Sequence, residues 1–294
     1  MSRSRAYLML SGCALFWSGN YVIGRAFAND IAPVTISYLR WCAALVIILP
    51  FTIKPMIRQW PIIRAHFWPL VFMGAVGVGG FNTFAYLGLN KTTATNALLI
   101  NSFIPILIIL FSRIYPGLPV SPARLLGILI STLGVMLLVS RGSLENLLAL
   151  EINRGDLWIL LAAATWATYS ISLRWRPVEI TAPVFLLFTM IVGLVILSPI
   201  YWFNWLNEPA FIASPPNLIA IAYVALFASV VAFLFWNQGV KVVGASTAGQ
   251  FIHLMPVFGT IMAVVFLGEQ LFWFHVFGAM AIATGILLSL RQPS

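Results

Sequence analysis

Apolar residues fill this 294-residue chain in long runs, each closed by a short polar stretch. Ten runs approach the roughly 20 residues that cross a bilayer as an α-helix. They are about Ala6–Ala26, Val34–Ile53, Phe67–Leu89, Thr95–Ile114, Ala123–Ser140, Leu157–Trp175, Ala182–Phe203, Leu218–Gly239, Thr247–Leu267 and Phe272–Leu290. The connections are short, so no soluble domain is inserted. The longest, Arg141–Asp156, carries both signs of charge and divides the chain. Ala26-Phe27-Ala28 resembles a leader cleavage site, but the run Ala6–Ile23 is long enough to span. It is read as a first transmembrane helix that enters from the cytoplasm.

The pattern repeats. Ala94–Pro105 returns as Ala245–Pro256, a shift of 151 residues, and each copy leads from small residues to a proline. The same shift pairs Gly88 with Gly239, Ala97 with Ala248, Gly117 with Gly268, Gly127 with Gly278 and Gly134 with Gly285. Trp17 pairs with Trp166 and Arg25 with Arg174 at a shift of 149. Five spans per half is an odd number, so the second half sits upside down relative to the first. The expected architecture is an all-α polytopic membrane protein of ten transmembrane helices, in two inverted five-helix repeats, residues 1–145 and 146–294. A proline inside a helix removes one N–H and displaces the carbonyl four residues back. In lipid such a break is tolerated where it faces protein or a water-filled cavity. Matched breaks at Pro105 and Pro256 therefore predict hinges beside a polar site between the repeats.

Composition narrows the class. The chain is 61% hydrophobic and only 8% charged, against about 25% charged in soluble domains. The net charge of +9 is scattered between apolar runs with no basic stripe, so no nucleic-acid partner is expected. Cys13 and Cys42 fall inside apolar runs and imply no disulfide. With the N-terminus inside, eleven Lys and Arg fall on the cytoplasmic side and four, Arg25, Lys91, Arg141 and Arg154, on the outer side. That bias puts both termini in the cytoplasm. The expected location is a bacterial inner membrane, crossed many times, with lipid as surroundings. A monomer suffices for this plan.

Ionisable groups inside spans are costly and mark function. All seven acids fall at loops or span ends, so a proton relay on a buried carboxylate is not expected, nor are lipophilic cations as cargo. Arg40 and His253 remain. Arg40 fits either snorkelling to the outer interface or pairing with a substrate carboxylate. His253, three residues before Pro256, fits a packing histidine, a cavity wall or a proton switch. Asn101 lies four residues before Pro105, where side chain and released carbonyl either hold a polar group or satisfy each other within the kink. Asn82 and Tyr86 share one helix face, as do Trp17 and Tyr21, and nearly Trp166 and Tyr169. Aromatic walls with a few amides suit a molecule with an apolar body and a polar head. The dispersed His66, His253 and His275 give no metal-ligand spacing and no nucleophile–base pair, so neither an enzyme, a metal nor a cofactor is expected. Gly74, Gly77, Gly79 and Gly80 crowd the third run, for close packing or a hinge.

The duplicated five-helix unit, Phe16-Trp17-Ser18-Gly19-Asn20-Tyr21, the Ala94–Pro105 motif with its echo, and Leu267-Gly268-Glu269-Gln270 together resemble the drug/metabolite transporter superfamily, in its EamA-type exporter branch. The similarity covers nearly the whole chain. Pro116-Gly117-Leu118 departs from the Gly-Glu the family often carries at that place. The resemblance is strongest to bacterial amino acid exporters, including those for aromatic amino acids. It implies a central cavity between the halves and alternating access. A carrier of small molecules on this plan is expected to enclose the cavity with helices three, four, eight and nine and to gate it with the first and sixth. A drug exporter and a nucleotide-sugar-type carrier are the alternatives.

Overall fold

The computed structural model describes residues 1–27, 31–89, 91–113, 121–149, 153–205, 211–268 and 270–290. Glu269 and Pro116-Gly117-Leu118 lie outside the described residues, as do the side chains of Tyr21 and Tyr86. The described chain is nearly all helix, without a strand. Its helices are α1 (Arg3–Ala26), α2 (Pro33–Ala65), α3 (Phe67–Leu89), α4 (in two pieces, Ala94–Asn101 and Ile104–Ser112), α5 (Pro122–Val139), α6 (Arg154–Trp175), α7 (Ala182–Trp205), α8 (Pro215–Val243), α9 (Ala245–Gln250 and Leu254–Leu267, joined by a 3-10 turn) and α10 (Trp273–Leu290). Among the described residues, eight of these are long and apolar enough to cross a membrane: α2, α3 and α5 to α10.

Helix starts follow the sequence. Thr93 caps the Asn96 N–H of α4 at 3.1 Å, and Ser121 caps the Arg124 N–H of α5 at 3.2 Å. Pro33, Pro122 and Pro215 occupy first-turn positions, where the missing N–H costs no helical bond. Gly244, at φ +81°, turns the chain from α8 into α9, a conformation open to glycine at little cost. Asp156 and Asn153 form a capping box at the start of α6.

Three elements differ from the pattern-based expectation. First, α2 does not stop near Ile53 but continues to Ala65 through Pro50, Pro55 and Pro61. Buried Ile63 and the Gln59 side chain, which accepts from the Thr181 N–H at 3.0 Å, hold the extension against the start of α7. Second, Pro105 and Pro256 do not kink continuous helices. Each lies in the first turn of the second piece, after a break at Ser102–Phe103 in α4 and a 3-10 turn at Phe251–His253 in α9. Third, Asp156 is buried at the head of α6, where it accepts from the Thr92 hydroxyl and from Asn96 Nδ2 at 3.2 Å. It thereby joins the start of α6 to the start of α4.

Small residues set the closest approaches. α5 and α10 pack along their length. A Cβ on Gly134 would come within 2.7 Å of the Gly278 carbonyl, and one on Gly127 would strike the Gly285 carbonyl. Rising numbers on α5 meet falling numbers on α10, so the two helices are antiparallel. Lipid offers no hydrophobic drive between helices, so this backbone approach is the stabilising contact. The α3 glycines serve packing: a Cβ on Gly74 would meet Val192 at 2.8 Å, and the ring of Tyr169 fills the space beside Gly77. That stretch, Ala75–Gly80, is wound as π-helix, and so is Val224–Val231 of α8. Such segments recur at functional sites, and each ends within two residues of a cavity-lining ring, Phe81 or Phe233.

Candidate functional site: an aromatic-walled interior cavity

The cavity has a volume of about 80 Å3. Its walls come from more helices than expected. α1 gives Trp17 and Asn20, α2 Arg40, α3 Phe81, α4 Asn101 and Ser102, α6 Trp166, α8 Phe233, and α9 His253 and Pro256. The breaks in α4 and α9 both open onto it.

Four rings form one wall. Trp17 meets Trp166 edge to face, with centroids 5.1 Å apart and planes at 81°. Phe233 lies 5.5 Å from Trp166, and Phe81 lies 5.0 Å from it. Edge-to-face contacts of this kind are worth about 0.5–1.5 kcal/mol beyond area burial. The Trp17 indole N–H donates to the Ala228 carbonyl at 3.1 Å, inside the π-wound stretch of α8. Ser229, one residue on, reaches Arg40, so this short segment orients two of the walls.

Arg40 is 6% exposed and lies in the interior, which removes the snorkelling alternative. Its Nε donates to Ser229 Oγ at 3.1 Å, and one terminal nitrogen donates to Asn20 Oδ1 at 3.5 Å. The guanidinium carbon stands 5.0 Å from the Trp41 ring centroid. Ser229 accepts from Arg40 because its own proton goes to the Val224 carbonyl at 2.9 Å. Arginine keeps its charge at every physiological pH, so the cavity holds a permanent cation.

His253 is fully buried and faces α4 and α5. Its Nε2 is 2.8 Å from the Ser102 carbonyl and its Nδ1 2.6 Å from Ser131 Oγ. Ser102 and His253 stand 151 positions apart, the shift of the sequence repeat. Trp17 and Trp166, paired at the other shift, also touch.

Of the expected site residues, Trp17, Arg40, Asn101, Trp166, His253 and Pro256 therefore meet at one cavity. Asn82 does not line it; its Nδ2 donates to the Val78 carbonyl at 2.6 Å within α3. Tyr169 stands behind the wall, 5.3 Å from Trp166, and its hydroxyl donates to Asn237 Oδ1 at 2.7 Å. Pro105 is buried beside the α4 break, next to Gly249. The side chains of Tyr21 and Tyr86 lie outside the described residues. Asn20, Phe81, Ser102 and Phe233 were not anticipated. Asn20 had a signal, three residues after Trp17 on the same helix face; Phe233 is one phenylalanine among 22. Among the described residues, no group of three or more His, Cys, Asp or Glu could hold a metal ion.

A bundle of membrane-length apolar helices around an interior cavity with rings, amides and a buried cation defines a membrane transporter. Comparison with known proteins agrees. The chain belongs to the EamA-like transporter family, whose model matches residues 4–140 and again 153–291. The transporter YyaM of Bacillus subtilis (strain 168) is 30% identical over 292 residues, covering 98% of this chain and 94% of that one. A transporter of Archaeoglobus fulgidus is 24% identical over 297 residues, covering 97% of each chain. The aromatic amino acid exporter YddG of Ancylobacter novellus is 26% identical over 226 residues, covering 75% of this chain and 74% of that one. A solved crystal structure shares the fold with a TM-score of 0.80 at 21% identity, covering 98% of this chain and 97% of that one.

Proposed function

We propose that this protein is a secondary carrier, not an enzyme, that exports amino acids, aromatic ones included, or similar small metabolites across the bacterial inner membrane by alternating access. The observation that carries the reading is the joint placement of Arg40, Asn20 and Asn101 with Trp17, Trp166, Phe81 and Phe233 around one cavity. A carboxylate beside Arg40 gains a charge-assisted hydrogen bond. The rings accept the apolar body of the same molecule. The naming of one relative as an aromatic amino acid exporter points the same way.

The topology that goes with it is ten spans in two inverted repeats, residues 1–145 and 146–294, with both termini cytoplasmic. Three observations support it. One family model matches each half. The repeat-related Ser102 and His253 touch each other. Gly127 faces Gly285 while Gly134 faces Gly278, so each glycine meets the other's equivalent, as contacts across a two-fold axis require. The antiparallel crossing of α5 and α10 fits inversion.

A nucleotide-sugar carrier is disfavoured, because a diphosphate calls for several cations and Arg40 is the one permanent cation among the described lining residues. A drug exporter is the closer rival. Counterflow into proteoliposomes decides: labelled phenylalanine, threonine or methionine accumulates against unlabelled amino acid inside. No exchange with any of the three removes the amino acid assignment.

A further inference from the structure

We infer that His253 is the proton-binding site of this carrier, loading a proton at Nδ1 while the Ser131 hydroxyl turns from the ring to the Ile128 carbonyl. The inference rests on the carrier reading for its purpose, but on the hydrogen bonds alone for its chemistry.

Nε2 lies 2.8 Å from the Ser102 carbonyl, which only accepts, so Nε2 bears a hydrogen in every state. That leaves Nδ1, 2.6 Å from Ser131 Oγ, as the variable position. Ser131 has one proton and two acceptors in reach, since the Ile128 carbonyl stands 3.0 Å from the same oxygen. With neutral imidazole, the hydroxyl donates to Nδ1. With imidazolium, Nδ1–H donates to the hydroxyl and the hydroxyl donates to Ile128. The ring gains one proton from solution, the serine keeps its own, and no hydrogen bond of the ring is lost. A buried histidine whose Nδ1 partner is a fixed donor would lose that bond on protonation; this one is built to accept.

The position gives the proton leverage. His253 lies in the 3-10 turn that breaks α9, Ser102 in the break of α4, and Ser131 on α5, one turn from Gly127 and Gly134. One ring thus ties both breaks to the tight α5–α10 seam. Among the described side chains, the ionisable groups on the elements packed against it are few. α1 brings Arg3 and Arg5 at its start, then Tyr7, stacked on Phe251 at 5.7 Å, and buried Cys13. α5 brings Arg124 at its start; α4 and the rest of α9 bring none. Across the cavity stands Arg40. A proton on His253 puts a second cation in that chamber, so it changes how the chamber receives a zwitterion.

The test has two independent arms. Three histidines occur in the chain, so His66→Gln with His275→Gln leaves one to follow by 15N NMR across a pH series. The expected spectrum shows the Nε2–H tautomer at the alkaline end and a doubly protonated ring after one step. Ser131→Ala, which takes a stronger hydrogen bond from the charged ring than from the neutral one, is expected to bind the proton roughly tenfold more weakly. An Nδ1–H tautomer, a ring that never titrates in the folded protein, or a titration untouched by Ser131→Ala overturns the inference. In the second arm, counterflow of labelled phenylalanine is measured against pH. His253→Gln keeps an N–H for Ser102 and an oxygen for Ser131 but takes no proton, so its profile is expected to be flat where the parent's slopes. A parent-like slope in His253→Gln overturns the inference. Should the parent exchange no amino acid at all, the transport reading falls and the NMR arm still decides the proton site.

Discussion

Replacing Asp156 by alanine probes the polar joint between α6 and α4. The carboxylate is buried and accepts four hydrogen bonds: from the Thr92 hydroxyl, twice from Asn96 Nδ2 at 3.2 Å, and from the Asn153 N–H at 2.9 Å. The last of these closes the capping box of α6. Loss of a helix cap costs about 1 kcal/mol. Loss of hydrogen bonds to a buried charged acceptor costs about 1.5–3 kcal/mol more. The sum for Asp156→Ala is about 3 kcal/mol. At ~2–4 °C per kcal/mol for a chain of this order of size, the melting temperature in detergent falls by about 6–12 °C. Asp156→Asn keeps an acceptor for Thr92 and loses roughly half as much. The assay is thermal unfolding followed by tryptophan fluorescence, with Trp158 on the same helix. An Asp156→Ala protein that melts within about 1 °C of the parent, as surface substitutions do, would refute the claim that this carboxylate joins the helices.

Substitutions at four other positions probe the packing and the cavity. Gly134→Leu drives a side chain into the Gly278 carbonyl and Ile282, so a loss of about 2 kcal/mol or more is expected in the same unfolding assay. Arg40→Lys keeps the charge but gives up the fork that reaches Ser229 and Asn20; KM in counterflow rises about tenfold, with Arg40→Gln worse. Tyr169→Phe leaves Asn237 Oδ1 buried without its donor, which costs about 1–3 kcal/mol of stability and leaves KM near the parent value. Trp17→Phe removes the N–H that holds the Ala228 carbonyl, and KM for phenylalanine rises more than the melting temperature falls.

The helices, the matched breaks and the small-residue seam were legible in the sequence because each has a one-dimensional cause. Length in apolar residues marks a span, a proline marks a break, and glycines on one face mark close approach. Which residues look inward was legible where polarity singled them out, as at Arg40, Asn101 and His253, or where the repeat paired them, as at Trp17 and Trp166. In helices apolar all round, periodicity carries no face information, so Phe81 and Phe233 were hidden among similar neighbours. Asn82 and Tyr169 show the opposite failure. Both are polar and near the cavity in sequence, yet one bonds its own helix and the other bonds Asn237. The extension of α2 was hidden by its three prolines, which normally end helices but here sit in a segment anchored by Ile63 and Gln59. The Asp156 joint was hidden because a carboxylate at a span end is normally solvated.

The central claim is a chamber that opens to one side of the membrane and then to the other. Asn101→Cys places a thiol on the cavity wall once Cys13 and Cys42 are replaced by serine. In oriented vesicles, a membrane-impermeant thiol reagent added outside should label this site, and the same reagent trapped inside should label it too, with an exporting substrate slowing both. Labelling from one face alone under every condition, or from neither, would contradict the account.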